Sequence, residues 1–321
     1  MNRIIFITFL LAITDFLYSQ QLPLFTQYRE NHALINPATV NSDYMLYEYN
    51  FSMGLSVRSQ WVDQKDTPRT GVFRGEYIVK DTRGVGLLFG GHLINDRTGP
   101  TIHSGAYARV AGLISDDPYF GALSVGISVG IAQYQVKTSG LFVLEQGDIL
   151  TQFDQSQAAP DVSIGLFYYK RLDGGDNIYA GLSSPQIIGL DLTFRGQGRG
   201  GAESIGEFRI KRNRHYFALF GFYKFLDDYS FIEPSIWVKY VENAPIHVDA
   251  NIRYQMSKNF WIGLGGSSSK TAHGEVGVLI GDNLGWGGNI KIGYGYDHSF
   301  TSVGAFFGAT HEINVGFTLD Q

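Results

Sequence analysis

The chain contains no cysteine. That excludes a disulfide-stapled secreted module and any zinc or iron–sulfur centre ligated through thiolates. Positive charge is in deficit, with 25 Lys and Arg against 30 Asp and Glu, a net of -5, so the basic face of a nucleic-acid binder is missing. Charge of either sign is sparse at 17%, while aromatics reach 14%, a balance that excludes a disordered chain. Past residue 19 no uncharged apolar run of 18 residues occurs, so the mature sequence has no helical membrane span. At 321 residues, length alone suggests about two domains, although a barrel of this size forms one.

The first residues resemble an export signal. Met1-Asn2-Arg3 is a short positive stretch, Ile4 to Ile13 is apolar apart from Thr8, and Ser19 offers a small residue for cleavage. Residues 1–19 are read as a secretory signal peptide, cleaved near Ser19 and excluded from the fold. An N-terminal membrane anchor is the alternative, but the run is shorter than the ~20 residues a span needs and Asp15 interrupts it.

What the rest of the chain has is alternation. Met45, Tyr47, Tyr49, Phe51, Met53, Leu55 and Val57 stand at every second position, alternating with Leu46, Glu48, Asn50, Ser52, Gly54, Ser56 and Arg58. A period of two describes a strand with one apolar and one polar face. It recurs at Leu123, Val125, Ile127, Val129 and Ile131, where the opposite face holds only Ala, Ser and Gly, and again from Ile246 and from Ile290. Fourteen strands follow, at 45–60, 70–80, 84–93, 101–114, 119–134, 160–171, 176–183, 213–225, 229–241, 245–255, 259–266, 272–281, 287–297 and 309–319. Most reach the ~9 residues that a tilted strand needs to cross a bilayer.

The connections sort by parity. Every even-numbered one is short, as at 81–83 and 226–228, and every long one is odd-numbered: 61–69, 135–159, 184–212 and 298–308. Short periplasmic turns opposite long extracellular loops are the plan of an outer-membrane barrel, whereas a soluble sandwich has no reason to sort loops this way. The expected fold is therefore all-β: a transmembrane antiparallel barrel of about 14 strands over 44–321, preceded by a periplasmic segment 20–43. That segment is expected to fold under or into the periplasmic mouth, plugging the lumen or meeting a partner, or else to remain a partly ordered tail. Aromatics near strand ends, such as Tyr168-Tyr169 and Tyr240, suit the girdles at the two interfaces. The 40 glycines suit a wall that bends or is closely approached.

Catalytic signatures are weak. Gly126-Ile127-Ser128-Val129-Gly130 spells a nucleophile elbow, but that motif needs a sharp strand-to-helix turn, and here it lies inside an alternating strand. The eight histidines include no helical i, i+4 pair, and aspartates such as Asp116-Asp117 and Asp227-Asp228 occupy turns. No catalytic residue, metal or cofactor is expected.

Motifs in chain order carry a resemblance. Phe25-Thr26-Gln27-Tyr28 is followed by Asn36-Pro37-Ala38, and strand one ends in Arg58-Ser59-Gln60-Trp61. Further on stand Ile232-Glu233-Pro234-Ser235, Lys239-Tyr240, Asn243-Ala244-Pro245, Asp249 with Asn251, Tyr296-Asp297 and His311-Glu312-Ile313. This order resembles the PorP/SprF family over nearly the whole mature chain, while 135–159 and 184–212 carry none of its pattern.

The resemblance implies an outer-membrane component of the type IX secretion and gliding apparatus of a Gram-negative cell. It implies as partners a secreted adhesin-like cargo with a C-terminal sorting domain, periplasmic or outer-membrane parts of the machine, and outer-membrane lipid. The role it implies is non-enzymatic: helping to export the cargo or holding it at the surface. The alternatives are a diffusion porin or hydrophobic-solute transporter and, more remotely, a lipid hydrolase. Candidate partner-binding or lumen residues are Phe25, Gln27, Tyr28, Asn36, Pro37, Arg58, Gln60 and Trp61. Arg58, on the polar face, is expected to pair with a carboxylate of another strand, Glu76 for example, with Trp61 in the girdle. Direct cargo contact by either is the competing reading. The long loops are natural surfaces for an exported partner.

Overall fold

In a computed structural model the described residues are 25–79, 85–137, 155–189, 191–196, 206–257, 259–281, 287–301, 306 and 308–321. Alternation dictates the wall. Along β5 (Gly121–Val136), Leu123, Val125, Ile127, Val129 and Ile131 face outward and are exposed, while Ala122, Ser124, Ser128 and Ala132 are buried. A protein surrounded by water would invert this arrangement. Rows of apolar side chains on the outside are favourable only where the external solvent is hydrocarbon.

Fourteen strands close the wall, every neighbour antiparallel. They are β1 (Phe51–Ser59), β2 (Arg69–Val79), β3 (Val85–Thr98), β4 (Thr101–Ile114), β5, β6 (Gln155–Arg171) and β7 (Asn177–Ser184). The second half comprises β10 (His215–Phe225), β11 (Phe231–Val241), β12 (His247–Ser257), β13 (Phe260–Ser267), β14 (Thr271–Ile280), β15 (Gly288–Ser299) and β16 (Thr310–Leu319). Closure pairs the first strand with the last, Phe51 opposite Leu319 and Ser59 opposite His311, so no edge is left unbonded. β7 pairs directly with β10, Phe217 opposite Ser183. Between them β8 (Asp191–Gly196) and β9 (Gly206–Lys211) form a separate two-stranded hairpin, within the stretch 184–212 that is expected to be a long loop.

Several strand boundaries differ from expectation. The alternation from Met45 predicts a strand there, yet Ser42–Tyr47 is a helix. Asn41 caps it, its side-chain oxygen accepting from the Tyr44 N–H at 2.7 Å, and Glu48 ends it in the left-handed conformation at φ 62°. Six residues are too few for the periods of helix and strand to be told apart. The wall thus begins at Phe51 rather than at 44. At the other extreme, β3 continues past 93 to Thr98, β5 runs on to Val136, and β6 begins at Gln155 rather than 160. Backbone pairing there outlasts the apolar band, because a ladder beyond the bilayer needs no hydrophobic side chains.

The segment before β1 lies inside the wall. It comprises a 3-10 turn (Tyr28–Asn31), helix α1 (His32–Ile35) and helix α2 (Ser42–Tyr47). Its residues from Phe25 to Met45 are almost all buried. It runs from the level of Asp297 and Glu312, near the long-loop end, to Tyr119 in the turn before β5.

Wall glycines make room for it. A Cβ on Gly126 would stand 2.6 Å from the Ala38 backbone, and one on Gly165 would collide with the Asn36 side chain. This accounts for a glycine of the nucleophile-elbow match without chemistry. Gly126→Val is expected to lower the temperature at which the folded electrophoretic band is lost, through an overpacking cost of about 1–3 kcal/mol. Gly71→Ala, where an added Cβ meets nothing within 4 Å, should leave that temperature unchanged.

Candidate functional site

A closed wall around a polar interior sets one requirement. Each charge that points inward must find a partner there, because an unpaired ion in low dielectric is far too costly. Wall strands supply Arg58, Arg74, Glu76, Arg109, Glu233, Arg253, Glu275, Lys291, Asp297 and Glu312, all buried. The N-terminal segment supplies Arg29, Glu30 and Asp43, and with them the pairing is completed.

Arg29 is the centre of the socket. Its Nε lies 2.7 Å from Glu233 Oε2, off the N–H axis, and its Nη1 donates to Glu275 Oε1 at 2.8 Å. Nη2 donates to Ser235 Oγ and Asn251 Oδ1, both at 3.0 Å. Burial opposes the charge of Arg29, but Glu233 and Glu275 outweigh it and hold the guanidinium pKa well above its ordinary value. Next to it Glu30 meets Arg74 and Arg253 at 3.5 Å and Lys291 at 3.6 Å, and Lys291 also binds Asp43 at 2.6 Å. Burial alone would raise the Glu30 carboxyl, yet Lys291, Arg253 and Arg74 together hold it below the usual carboxylate range.

The sequence candidates fall into this arrangement as follows. Phe25 is buried under the long-loop mouth. The backbone N–H groups of Thr26 and Gln27 donate to Glu312 at 2.8 and 3.0 Å, as to an acidic helix cap turned inside out. The Tyr28 hydroxyl shares a hydrogen bond of 2.6 Å with Ser235 Oγ. Asn36 donates to the Leu166 carbonyl at 2.9 Å, its side chain occupying the space left by Gly165, and the Pro37 carbonyl accepts from Arg109 at 3.1 Å. Arg58 donates to Thr26 Oγ1 at 2.6 Å, Asp297 Oδ2 at 2.5 Å and Glu312 Oε2 at 3.1 Å.

Arg58 therefore pairs with carboxylates of other strands, but not with Glu76. That residue sits further down the lumen, where it binds Arg109 and Asn41. β1 and β2 are in register with Arg58 opposite Thr70 and Glu76 opposite Ser52, which leaves the two side chains too far apart to meet. Gln60 is half-buried at the strand end, and Trp61 is 37% exposed just beyond it.

Motif reading missed Arg29, Glu30, Arg74, Arg109, Arg253, Glu275 and Lys291. A signal was there: each wall member of this group stands on the small and polar face of an alternating strand, where a charge has no solvent unless the lumen is open or filled.

At the long-loop end the filling stops short of the rim. A polar cavity of about 250 Å³ opens there, and Phe25, Tyr28, Arg58, Gln60 and Trp61 are among the residues that line it. Beside it lies a second cavity of about 60 Å³ with apolar walls such as Leu34, Ile35, Phe217 and Trp237. Deeper spaces, of about 20 and 10 Å³ around the ion pairs, hold a water or two at most. Ser128 is buried mid-strand, facing the apolar cavity.

With this geometry described, comparison with known proteins places it. The model of the type IX secretion system membrane protein PorP/SprF family matches residues 17–317. The chain belongs to that family, and its barrel is of the outer-membrane kind. No curated protein matches by sequence search. Among solved structures, the toluene transporter TodX of Pseudomonas putida is similar with a TM-score of 0.58 at 10% identity, over 91% of this chain and 94% of that one. The translocator domain of the autotransporter NalP from Neisseria meningitidis gives 0.51 at 12%, over 92% and 95%. A Pseudomonas aeruginosa FadL homologue gives 0.53 at 8%, over 94% and 95%. At these identities the likeness is one of fold.

Two outcomes follow from the socket. Arg29→Met leaves Glu233 and Glu275 buried without a counter-charge, so it should cost about 3–5 kcal/mol in denaturant unfolding of the detergent-solubilised protein. Arg29→Met combined with Glu233→Gln should recover part of that loss.

The second concerns His32, whose ring lies between Tyr28 and Tyr179. Burial, then the neighbouring Arg29 cation, pushes its pKa down to about 3 against the attraction of Glu30, so folded His32 stays neutral. The unfolded chain, with an ordinary value of 6.5, binds a proton first. Stability contributed by His32 is thus present above about pH 6.5 and declines as pH falls toward 3, by at most ~1.4 kcal/mol per pH unit. His32→Phe should flatten the stability–pH curve across that window. An unchanged slope would show that His32 does not carry it.

Proposed function

We propose that this protein is a filled, non-enzymatic outer-membrane barrel of the type IX secretion apparatus that binds a secreted, adhesin-like cargo bearing a C-terminal sorting domain and helps to export it or hold it at the cell surface. The observation that carries this reading is the N-terminal segment, locked along the lumen by buried ion pairs to strands β2, β11, β12, β14 and β15 and by hydrogen bonds to β1, β4 and β16. A pore built for solute flow needs a polar passage, whereas here the polar groups of the interior are spent on one another. What remains for a partner is the long-loop rim with its shallow mouth, and the short-turn end where periplasmic components of the machine would dock. Residues 1–19 act as the cleaved export signal in this reading, and Phe25 to Pro37 serve as the filling rather than as direct cargo contacts.

A transporter of hydrophobic solutes is the second reading, favoured by the fold shared with a toluene transporter and by the apolar cavity beside the mouth. Its size counts against it. At about 60 Å³ the cavity is well short of the ~150 Å³ that accommodates benzene in an engineered core.

Planar bilayers and whole cells separate the two. The purified protein should show no steady ion conductance, and deleting its gene should remove a sorting-domain cargo from the cell surface without altering toluene uptake. Lasting conductance of the wild type, or cargo display unaffected by deletion, would overturn the proposal.

A further inference from the structure

The mouth cavity has chemistry that cargo anchoring does not call for. Its polar wall is built of hydroxyls: Ser267 and Ser269 share a hydrogen bond of 2.5 Å, Ser269 reaches Thr271 at 3.4 Å, and His247 Nε2 lies 3.3 Å from Ser269 Oγ. Two carboxylates stand among them, each beside a cation. Asp249 is paired with Lys239, and Asp297 with Arg58, which it shares with Glu312. Their spare lone pairs can accept hydrogen bonds from neutral hydroxyls, and their charge disfavours a phosphate.

Trp61 contributes the remaining wall. It is a bulky residue held at φ 54°, a left-handed conformation that costs energy for any side chain but glycine, and it is 37% exposed at the cavity rim. Strain of this kind persists where the surroundings impose it and clusters at ligand sites. The result is an indole lining the rim of a bowl of hydroxyls, an amide from Gln60 and two cation-paired carboxylates, with a volume of about 250 Å³. An apolar ring system beside many hydrogen-bonding groups matches a molecule with a C–H face and a hydroxyl edge.

We infer that the mouth cavity binds a neutral hexopyranose unit, the ring seated on Trp61 and its hydroxyls on Asp249, Asp297, Ser269 and Thr271. The site opens on the long-loop side, which faces outward in outer-membrane barrels, so the sugar comes from outside the cell. It is either a soluble glycan or the end of a lipid-linked one. This inference is independent of cargo binding and stands or falls separately.

The test uses the full protein in lipid nanodiscs. Methyl glycosides of glucose, galactose and mannose are titrated by saturation-transfer NMR, in parallel with discs containing smooth or deep-rough lipopolysaccharide. Expected is saturable binding of at least one glycoside, with half-saturation raised tenfold or more by Trp61→Ala and clearly raised by Thr271→Val. Thr271→Val deletes a rim hydroxyl, and the folded electrophoretic band verifies that either variant is intact. A response to the soluble glycosides supports a soluble source. A response confined to smooth-lipopolysaccharide discs, and lost with Trp61→Ala, supports the lipid-linked source. No saturable response in either arm, binding that both variants leave unchanged, or occupation of the cavity by an unglycosylated sorting domain that the sugars fail to displace would each overturn the inference.

Discussion

Charge inside a closed wall must be answered by charge, and this constraint organises the molecule. Hydrocarbon outside obliges the strands to send their apolar residues outward, so whatever is polar turns in. The lumen then inherits arginines, lysines and carboxylates at a density that no dry interior tolerates unless pairing is complete. Arg29, Glu30 and Asp43, carried on a segment that is not part of the wall, supply the missing partners. Filling and wall are therefore one electrostatic unit rather than a barrel with an accessory stopper.

That unit explains why the motifs lie so far apart in the chain. Glu233 and Ser235 on β11, Asn251 on β12, Asp297 on β15 and Glu312 on β16 look like scattered family signatures in sequence. In the fold they converge on four consecutive residues, Thr26 to Arg29. Asn36-Pro37-Ala38 belongs to the same logic: Gly126 and Gly165 leave the hollows in which this stretch lies against the wall. The family pattern is in large part the description of a socket and of the peptide that fits it.

The wall was legible because membrane strands repeat one simple rule. Period-two alternation and the parity of loop lengths give all fourteen wall strands, and the errors fall where that rule has no purchase. At 42–47 Met45 and Tyr47 fall into the alternation by coincidence while the Asn41 cap decides for helix. The hairpin β8–β9 alternates only over Leu192 and Phe194 and over Phe208 and Ile210, too short a run to read as a membrane strand. The extensions of β3 and β6 rest on backbone pairing with polar side-chain bonds across it, Asn95 to Ser104 and Gln133 to Ser156. The socket was half legible. The inward face of Arg58 follows from its parity, but its partners do not, since Asp297 and Glu312 are brought beside it by closure of β1 on β16 and by the register of β15. Pairing across a barrel seam depends on shear, which no local pattern records.

This division also locates where members of such a family can differ. Residues that answer buried charges cannot drift singly, because each substitution strands a partner in low dielectric. The rim is under no such tie: the serine-rich turn 267–271 is largely exposed to water rather than held in the ion network. A protein constrained in this way keeps its fold through the lumen and acquires its specificity at the mouth. Selectivity for one partner over another is then a property of the residues that the family pattern leaves unspecified, and the socket beneath them acts by holding that surface rigid.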